Sequence, residues 1–224
     1  MGMVGLKSTE GLAQGYLALP RKGTGPGVLV LHAWWGLNDF FQSVCDRLAA
    51  AGFVAFAPDL YHGATASTIE EAKKLMSRLK EEQAREDIVK SAKALRGHPK
   101  VRGDRLGIIG FSMGAGWALW AADEFPEDVA AIVVFYGTWE GKGAKSGAAF
   151  LGHFAEKDDW ESAAAVRELE VFLRTAGKDV TFYTYPGTTH WFFEKDRSDA
   201  YDATAAGSAW QRTLLFLTTH LERN

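Results

Sequence analysis

The sequence predicts an α/β fold in which a mostly parallel sheet is covered by helices on both faces. Short, unbroken apolar runs such as Val28–His32 are typical of strands that are buried on both sides. These runs alternate along the chain with segments whose apolar residues have helical spacing. A chain of 224 residues, 47% of them hydrophobic, can bury such a core as one domain, residues 1–224.

The first half of the chain is predicted to hold three strands and two helical segments. The strands are Gly15–Leu19, Val28–His32 and Phe53–Ala57. A helix capped by Asn38 or Asp39 runs to Ala51, before a glycine. A second helical segment opens at Ser67 and ends near Gly97, where a proline follows.

The second half of the chain continues the alternation. An apolar strand that begins at Leu106 passes at Gly110 into a segment of small, helix-compatible residues. The later predicted elements are strands Ala131–Phe135, Ala149–Phe154 and Val180–Tyr185, a helix from about Ser162 to Ala176, and a C-terminal helix with Trp210, Leu214 and Leu217. Strands separated by helices predict parallel pairing.

The turn after the Leu106 strand carries the most specific motif, Gly110-Phe111-Ser112-Met113-Gly114. It matches the nucleophile-elbow pattern G-x-S-x-G, in which a serine sits on a sharp turn between a strand and a helix. Glycines are needed two residues before and after the serine because a Cβ there would press on the turn. The pattern predicts Ser112 as a nucleophile, and the alternative is a glycine-rich turn of another α/β fold.

Two later strands end in residues that could complete a catalytic triad. The strand after Ala149 runs into a loop with Asp158 and Asp159, and the strand after Val180 leads to His190. Sites of open α/β sheets form at the carboxyl ends of strands, where these loops leave the sheet. The chain order Ser, Asp, His is the order of α/β hydrolases, and spacing alone leaves the choice between the two aspartates open.

These segments resemble the dienelactone hydrolase family of α/β hydrolases. The matching segments are LHAWWG, PDLYHG, GFSMGAG, HFAEKDD and YPGTTHWF, in this order, and the resemblance extends from about Gly15 to the C-terminal helix. It implies an α/β-hydrolase fold with Ser112 as the nucleophile, Asp158 as the acid and His190 as the base.

The resemblance also implies an oxyanion hole. Its donors would be the backbone N–H of Met113, directly after the nucleophile, and that of Trp34, in the loop after the Val28–His32 strand.

The chain departs from the family pattern at several positions. Family members that open dienelactone carry a cysteine where this chain has Ser112, and a glutamate where it has Ala33. Both changes are consistent, because a serine activated by histidine does not need the second carboxylate. The family's substrate-binding arginines are also missing: the position four after the histidine is Glu194, and residues 65–74 contain no arginine. We therefore expect neutral esters as substrates.

Several aromatic residues follow the predicted strand ends. We expect an aromatic-walled substrate pocket formed by Trp35, Tyr136, Trp160 and Trp191, with Glu194 beside it. The alternative interpretation of these aromatic residues is ordinary packing in the core.

Charge and composition exclude other classes of function. The net charge is −3, the isoelectric point is near 6.1, and basic residues are scattered among acidic ones, so no nucleic-acid partner is expected. Cys45 is the single cysteine, which excludes an internal disulfide and favours a reducing compartment. Residues 1–12 contain no apolar signal-peptide core, and no apolar run reaches membrane-spanning length, so we expect neither a signal segment nor a membrane span. No cluster has zinc-site spacing, and we expect neither a metal nor a cofactor. These features predict a cytoplasmic protein, a monomer or a homodimer, that binds a small-molecule ester.

The combined prediction is a serine esterase that acts on small neutral carboxylic esters, or lactones, through an acyl-enzyme. One alternative is a thioesterase or acyltransferase that uses the same triad. Another is a non-catalytic α/β-hydrolase scaffold that binds a small carbonyl ligand.

Overall fold

The computed structural model describes residues 1–221, which form eight strands and six helices. The strands are β1 (Gly2–Ser8), β2 (Gly11–Ala18), β3 (Gly25–Leu31), β4 (Val54–Pro58), β5 (Val101–Phe111), β6 (Val129–Phe135), β7 (Ala149–Lys157) and β8 (Val180–Thr189). The helices are α1 (Asp39–Ala50), α2 (Ile69–Arg78), α3 (Glu81–Arg96), α4 (Met113–Glu124), α5 (Ala163–Thr175) and α6 (Ala203–Leu221). The strands belong to an eight-stranded, mostly parallel sheet, which confirms the predicted fold class.

The residues cluster in two compact units, 1–106 and from 107 onwards. In the first unit the strand order is β1-β2-β4-β3. The β1–β2 and β2–β4 pairs are antiparallel, and the β3–β4 pair is parallel. Every residue of β3 is buried, as the unbroken apolar run predicts. Helix α1 begins as expected, since the Asn38 side chain accepts hydrogen bonds from the backbone N–H groups of Phe40 and Phe41.

The second unit contains the parallel ladder β6-β7-β8. The pairing of β6 with β7 extends to the last residue of β6, Phe135, which lies opposite His153. Helix α5 agrees with the helix predicted from about Ser162 to Ala176, and the Ser162 side chain caps it by accepting from the backbone N–H of Ala165. No helix within residues 1–221 is long and apolar enough to cross a membrane.

Two features of the first unit differ from the prediction. Strand β1 was not expected, because only one of its seven residues is buried and it pairs at the sheet edge with β2 alone. The helical segment after Ser67 is two helices. Thr68 caps the first in a reciprocal capping box with Glu71, and extended backbone at Leu79 and Lys80 separates it from the second. The apolar residues of this segment keep helical spacing across the break, so the sequence did not indicate two helices.

A buried polar network ties α6 to the ladder of the second unit. Arg212 donates a hydrogen bond to the Tyr185 hydroxyl oxygen (3.0 Å), and this oxygen lies 2.9 Å from Nδ1 of His153. Nε2 of His153 lies 3.0 Å from Oγ1 of Thr213. Burial, with a smaller effect of Arg212, lowers the pKa of His153 to about 3. The imidazole is therefore a neutral structural group with a hydrogen-bond partner at each ring nitrogen.

The turn between β5 and α4 has a backbone that L-residues rarely adopt. Ser112 has φ 50° and ψ −112°, and its N–H donates to the carbonyl of Phe135 (2.9 Å). A Cβ on Gly110 would lie 2.7 Å from Cα of Ala115 and closer still to the backbone of Gly114. A Cβ on Gly137 would lie 2.5 Å from the Ser112 carbonyl oxygen. The sharp turn therefore depends on glycines in two segments of the chain.

We expect Gly110→Ala to lower the free energy of unfolding by about 1–3 kcal/mol, because backbone atoms would have to move to admit the methyl group. Gly207→Ala is the matched control. Nothing lies within 4 Å of a Cβ at Gly207, which is inside α6, and alanine there should raise stability by roughly 0.5–1 kcal/mol. Urea unfolding measures the free energy of unfolding of both variants. Equal changes in the two variants would contradict the claim that close packing at Gly110 excludes a methyl group.

Candidate active site

The structure brings Ser112, His190 and Asp158 together in one chain of hydrogen bonds. Oγ of Ser112 lies 3.0 Å from Nε2 of His190, and Nδ1 of His190 lies 2.8 and 2.9 Å from the two carboxylate oxygens of Asp158. A carboxylate only accepts, so Nδ1–H donates to Asp158. In the neutral imidazole with this tautomer, Nε2 is the acceptor for the serine hydroxyl. This is the arrangement that a histidine base requires.

The geometry separates the two aspartates of the acid loop. Asp158 has a side chain that is 4% exposed, and its Oδ1 also accepts from the backbone N–H groups of Trp160 and Glu161, both at 2.9 Å. These bonds hold the carboxylate in one orientation. Asp159 is exposed. Asp158 is therefore the aspartate that contacts His190.

The segment that leads to His190 is held by contacts of the last residues of β8. Gly187, with φ 76°, donates its backbone N–H to the carboxylate of Glu156 (2.8 Å). The Thr188 hydroxyl donates to the carbonyl of Tyr185 (2.8 Å). The His190 side chain is 5% exposed. Its position thus depends on a turn anchored to β7 and β8.

Three aromatic residues predicted for the pocket surround the imidazole of His190. The ring centroids of Tyr136, Trp191 and Trp160 lie 4.9, 5.0 and 6.5 Å from that of His190. Tyr136 and Trp191 are buried and have positive φ values, 37° and 65°. Trp160 is 47% exposed and offers an open aromatic surface beside the base.

Glu194 does not have the position that was expected from its place in the sequence. It is completely buried, and its Oε1 accepts a hydrogen bond from the Tyr136 hydroxyl (2.8 Å). Burial and the Glu194 charge raise the pKa of Tyr136 well above its usual value. The expectation that Glu194 faces substrate is therefore corrected. Its place in the sequence, four residues after the base, gave no indication that the chain turns inward there.

The proposed oxyanion residues belong to different units. Met113 is the first residue of α4, directly after Ser112. Trp34 and Trp35 follow β3 in the first unit and are 8% and 1% exposed, with ring centroids 5.4 Å apart. The roles of both tryptophans in the site stay predictions.

His32 fixes the backbone that precedes Trp34. Its Nδ1–H donates to the carbonyl of Ala33 (2.7 Å), and its Nε2 accepts from the N–H of Leu60 (3.3 Å). Burial lowers the pKa of His32, which keeps the imidazole neutral. The Ala33–Trp34 peptide is therefore held in one orientation.

Sequence reasoning missed two polar residues beside the acid. The Glu161 carboxylate accepts hydrogen bonds from the backbone N–H (2.8 Å) and the hydroxyl (2.9 Å) of Thr138. Neither residue belongs to a motif. The one available signal was that an aspartate tends to bond backbone N–H groups two and three residues ahead, which places residue 161 next to Asp158.

Comparisons with known proteins identify the family of this chain. The model of the dienelactone hydrolase family matches residues 13–221. A protein of Aquifex aeolicus (strain VF5), provisionally named a carboxymethylenebutenolidase, is 35% identical over 226 residues, which cover 93% of this chain and 94% of that protein. A Bradyrhizobium protein named as a probable 2-oxo-3-(5-oxofuran-2-ylidene)propanoate lactonase is 33% identical, with coverage of 92% and 89%.

A solved structure shows the same fold. It is the crystal structure of a provisionally named dienelactone hydrolase from Klebsiella pneumoniae subsp. pneumoniae MGH 78578, which superposes with a TM-score of 0.84 at 25% identity and 97% coverage of both chains. With a family match over nearly the whole chain, this chain belongs to the dienelactone hydrolase family of α/β hydrolases and is a hydrolase of ester or lactone bonds.

Proposed function

We propose that this hydrolase is a serine esterase that cleaves small neutral carboxylic esters, including cyclic esters, through an acyl-enzyme. The observation that carries the proposal is the continuous hydrogen bonding from Ser112 through His190 to Asp158. A serine hydroxyl is a weak nucleophile unless a base accepts its proton, and this arrangement supplies the base and its orienting acid.

Acylation follows from these contacts. Ser112 Oγ attacks the ester carbonyl carbon while its proton moves to Nε2 of His190, and the imidazolium is stabilised by Asp158. The tetrahedral intermediate then breaks its bond to the alcohol oxygen, which takes the proton from His190. The alcohol leaves, and the acyl group remains on Ser112.

Deacylation repeats the same proton transfers with water. His190 takes a proton from the attacking water and returns it to Ser112 Oγ as the ester bond to the enzyme breaks. The products are the carboxylic acid and the free enzyme. In both halves, negative charge develops on the carbonyl oxygen. Met113 begins α4, and the partial positive charge of a helix N-terminus favours that oxyanion.

The surroundings of the base support neutral substrates. The carboxylate of Asp158 contacts His190, and the charge of Glu161 also interacts with it. Trp160, whose ring centroid lies 6.5 Å from that of His190, is 47% exposed and adds apolar surface beside the base. A substrate with a free carboxylate would lose hydration there and meet negative charge. The relatives named for butenolide and lactone hydrolysis support including lactones.

Two alternatives remain distinct from this proposal. A thioesterase or acyltransferase would use the same three side chains on another leaving group or acceptor. A binding scaffold would have no need of an imidazole that is hydrogen-bonded to a serine and to an acid at once.

We expect Ser112→Ala to lower kcat by on the order of 10⁵ or more, because the acyl-enzyme cannot form. A fluorophosphonate probe should label the wild-type protein at Ser112, as Oγ displaces fluoride, and should leave the variant unlabelled. Peptide mass spectrometry locates the label. Retention of more than a tenth of the activity by the variant would overturn the assignment.

We expect Asp158→Asn to cost on the order of 10⁴ in kcat, because the amide no longer orients the imidazole tautomer that accepts the serine proton. Asp159→Asn is the matched control, with the same chemical change one residue away on an exposed side chain, and it should change kcat less than threefold by the usual small effect of surface substitutions. Steady-state kinetics on both variants checks this. The reverse ranking would reassign the acid.

We expect a neutral aryl ester to have a kcat/KM at least about tenfold above that of a matched ester with a free carboxylate, a difference of roughly 1.4 kcal/mol. The same assay includes the matched thioester. A preference for the anionic ester would contradict the substrate proposal, and faster thioester cleavage would favour the thioesterase. Binding without turnover would favour the scaffold.

A further inference from the structure

Glu161 connects two loops of the candidate site, one through its backbone and the other through its side chain. Its backbone N–H donates to Oδ1 of Asp158 (2.9 Å), which fixes the acid. Its side chain reaches the loop after β6, where Oε2 accepts from the Thr138 N–H (2.8 Å) and Oε1 accepts from the Thr138 hydroxyl (2.9 Å). Two donors from one residue, aimed at both oxygens, define the orientation of the carboxylate.

The loop that Glu161 holds lies directly behind the nucleophile. Gly137 precedes Thr138 and packs so closely on Ser112 that an added Cβ would be 2.5 Å from the Ser112 carbonyl oxygen and 2.8 Å from the Ala115 side chain. Displacement of Thr138 would therefore move a backbone segment against the turn of the nucleophile.

These contacts close a ring around the candidate triad. From Ser112 it passes by hydrogen bonds to His190 and Asp158, then through the backbone and carboxylate of Glu161 to Thr138, and returns by the Gly137 contact to Ser112. Each joint of the ring is a hydrogen bond of 2.8–3.0 Å or a contact at the packing limit.

Opposing effects act on the pKa of the Glu161 carboxyl group. Partial burial raises the pKa of Glu161, and so does the nearby Asp158 charge, whereas the Thr138 hydrogen bonds and His190 lower it. The pKa of Glu161 is raised overall, so its carboxylate is costly to keep ionised here, and the hydrogen bonds from Thr138 reduce that cost.

We propose that Glu161 is a positioning residue for the serine esterase reaction, which holds the acid loop and the loop behind Ser112 at a fixed separation. The inference rests on the proposed function, because it assigns Glu161 a role only if Ser112, His190 and Asp158 react as a unit. A misplacement of about 1 Å between reacting groups can cost on the order of a hundredfold in rate.

The test measures kcat and KM for a neutral aryl ester and the rate of fluorophosphonate labelling at Ser112. Glu161→Ala removes both acceptors, and we expect kcat and the labelling rate to fall at least about tenfold, with KM changed less than threefold. Glu161→Gln should recover both rates to within about threefold of wild type, since its amide oxygen accepts from the Thr138 N–H and its amide nitrogen donates to the hydroxyl oxygen.

Variants on the other side of the contact and a matched control complete the design. Thr138→Val keeps the shape and the N–H but loses the hydroxyl donor, so its rates should fall, whereas Thr138→Ser should stay within about threefold of wild type. Glu140→Ala is the control, an exposed glutamate of the same loop. Wild-type rates are expected for it. Thermal melting identifies any variant that has not folded.

The outcomes distinguish this inference from the proposed function. A wild-type protein that is not labelled at Ser112 contradicts the proposed function itself, and the inference fails with it. A labelled wild type together with a Glu161→Ala variant of wild-type rate overturns the positioning role alone. If Glu161→Ala does not fold, the Thr138 pair decides, and equal rates for valine and serine overturn the proposal.

Discussion

The left-handed backbone of Ser112 is the constraint on which the rest of the candidate site depends. A non-glycine residue at φ 50° and ψ −112° carries a conformational cost of about 1–3 kcal/mol, which persists only where the surroundings fix it. Here Ser112 lies directly before α4, its N–H donates to the Phe135 carbonyl, and Gly110 and Gly137 pack closely against the turn. The strain presents the hydroxyl outside the turn, where an imidazole can reach it.

The parallel ladder sets the spacing of the loops that meet Ser112. The hydrogen bond from Ser112 N–H to Phe135 and the one from Tyr136 N–H to His153 continue the strand pairing up to the strand ends. Neighbouring strands are about 4.8 Å apart, so loops that leave adjacent strands start at separations that side chains can bridge. The acid follows β7 and the base follows β8, and a histidine ring is long enough to join them to the nucleophile.

The elements that sequence reasoning predicted are those with local causes. The turn at Ser112, the cap at Asn38 and the buried run of β3 are each dictated by neighbours within a few residues, and the structure contains them. The acid and base loops followed from strand order together with family resemblance. Strand β1 was missed because an edge strand buries little, so its sequence carries a weak apolar pattern.

The remaining errors concern contacts between segments that are distant in the chain. Glu194 is buried by Tyr136, 58 residues earlier, and no periodicity indicates that a glutamate will be enclosed. The link between Glu161 and Thr138 likewise joins loops that follow different strands. Propensity and spacing describe one segment at a time, and these contacts exist only after the sheet has assembled.

The enclosed Tyr136–Glu194 pair makes two positions of the chain interdependent in evolution and in design. A phenylalanine at 136 would leave a buried carboxylate without its phenol donor, and an apolar residue at 194 would leave a buried hydroxyl without its acceptor. Each single change is costly, whereas a joint change to apolar residues removes both polar groups at once. An arginine at position 194 has no acceptor for the Tyr136 hydroxyl, so the single step to a cation at this position would leave a buried hydroxyl without its partner.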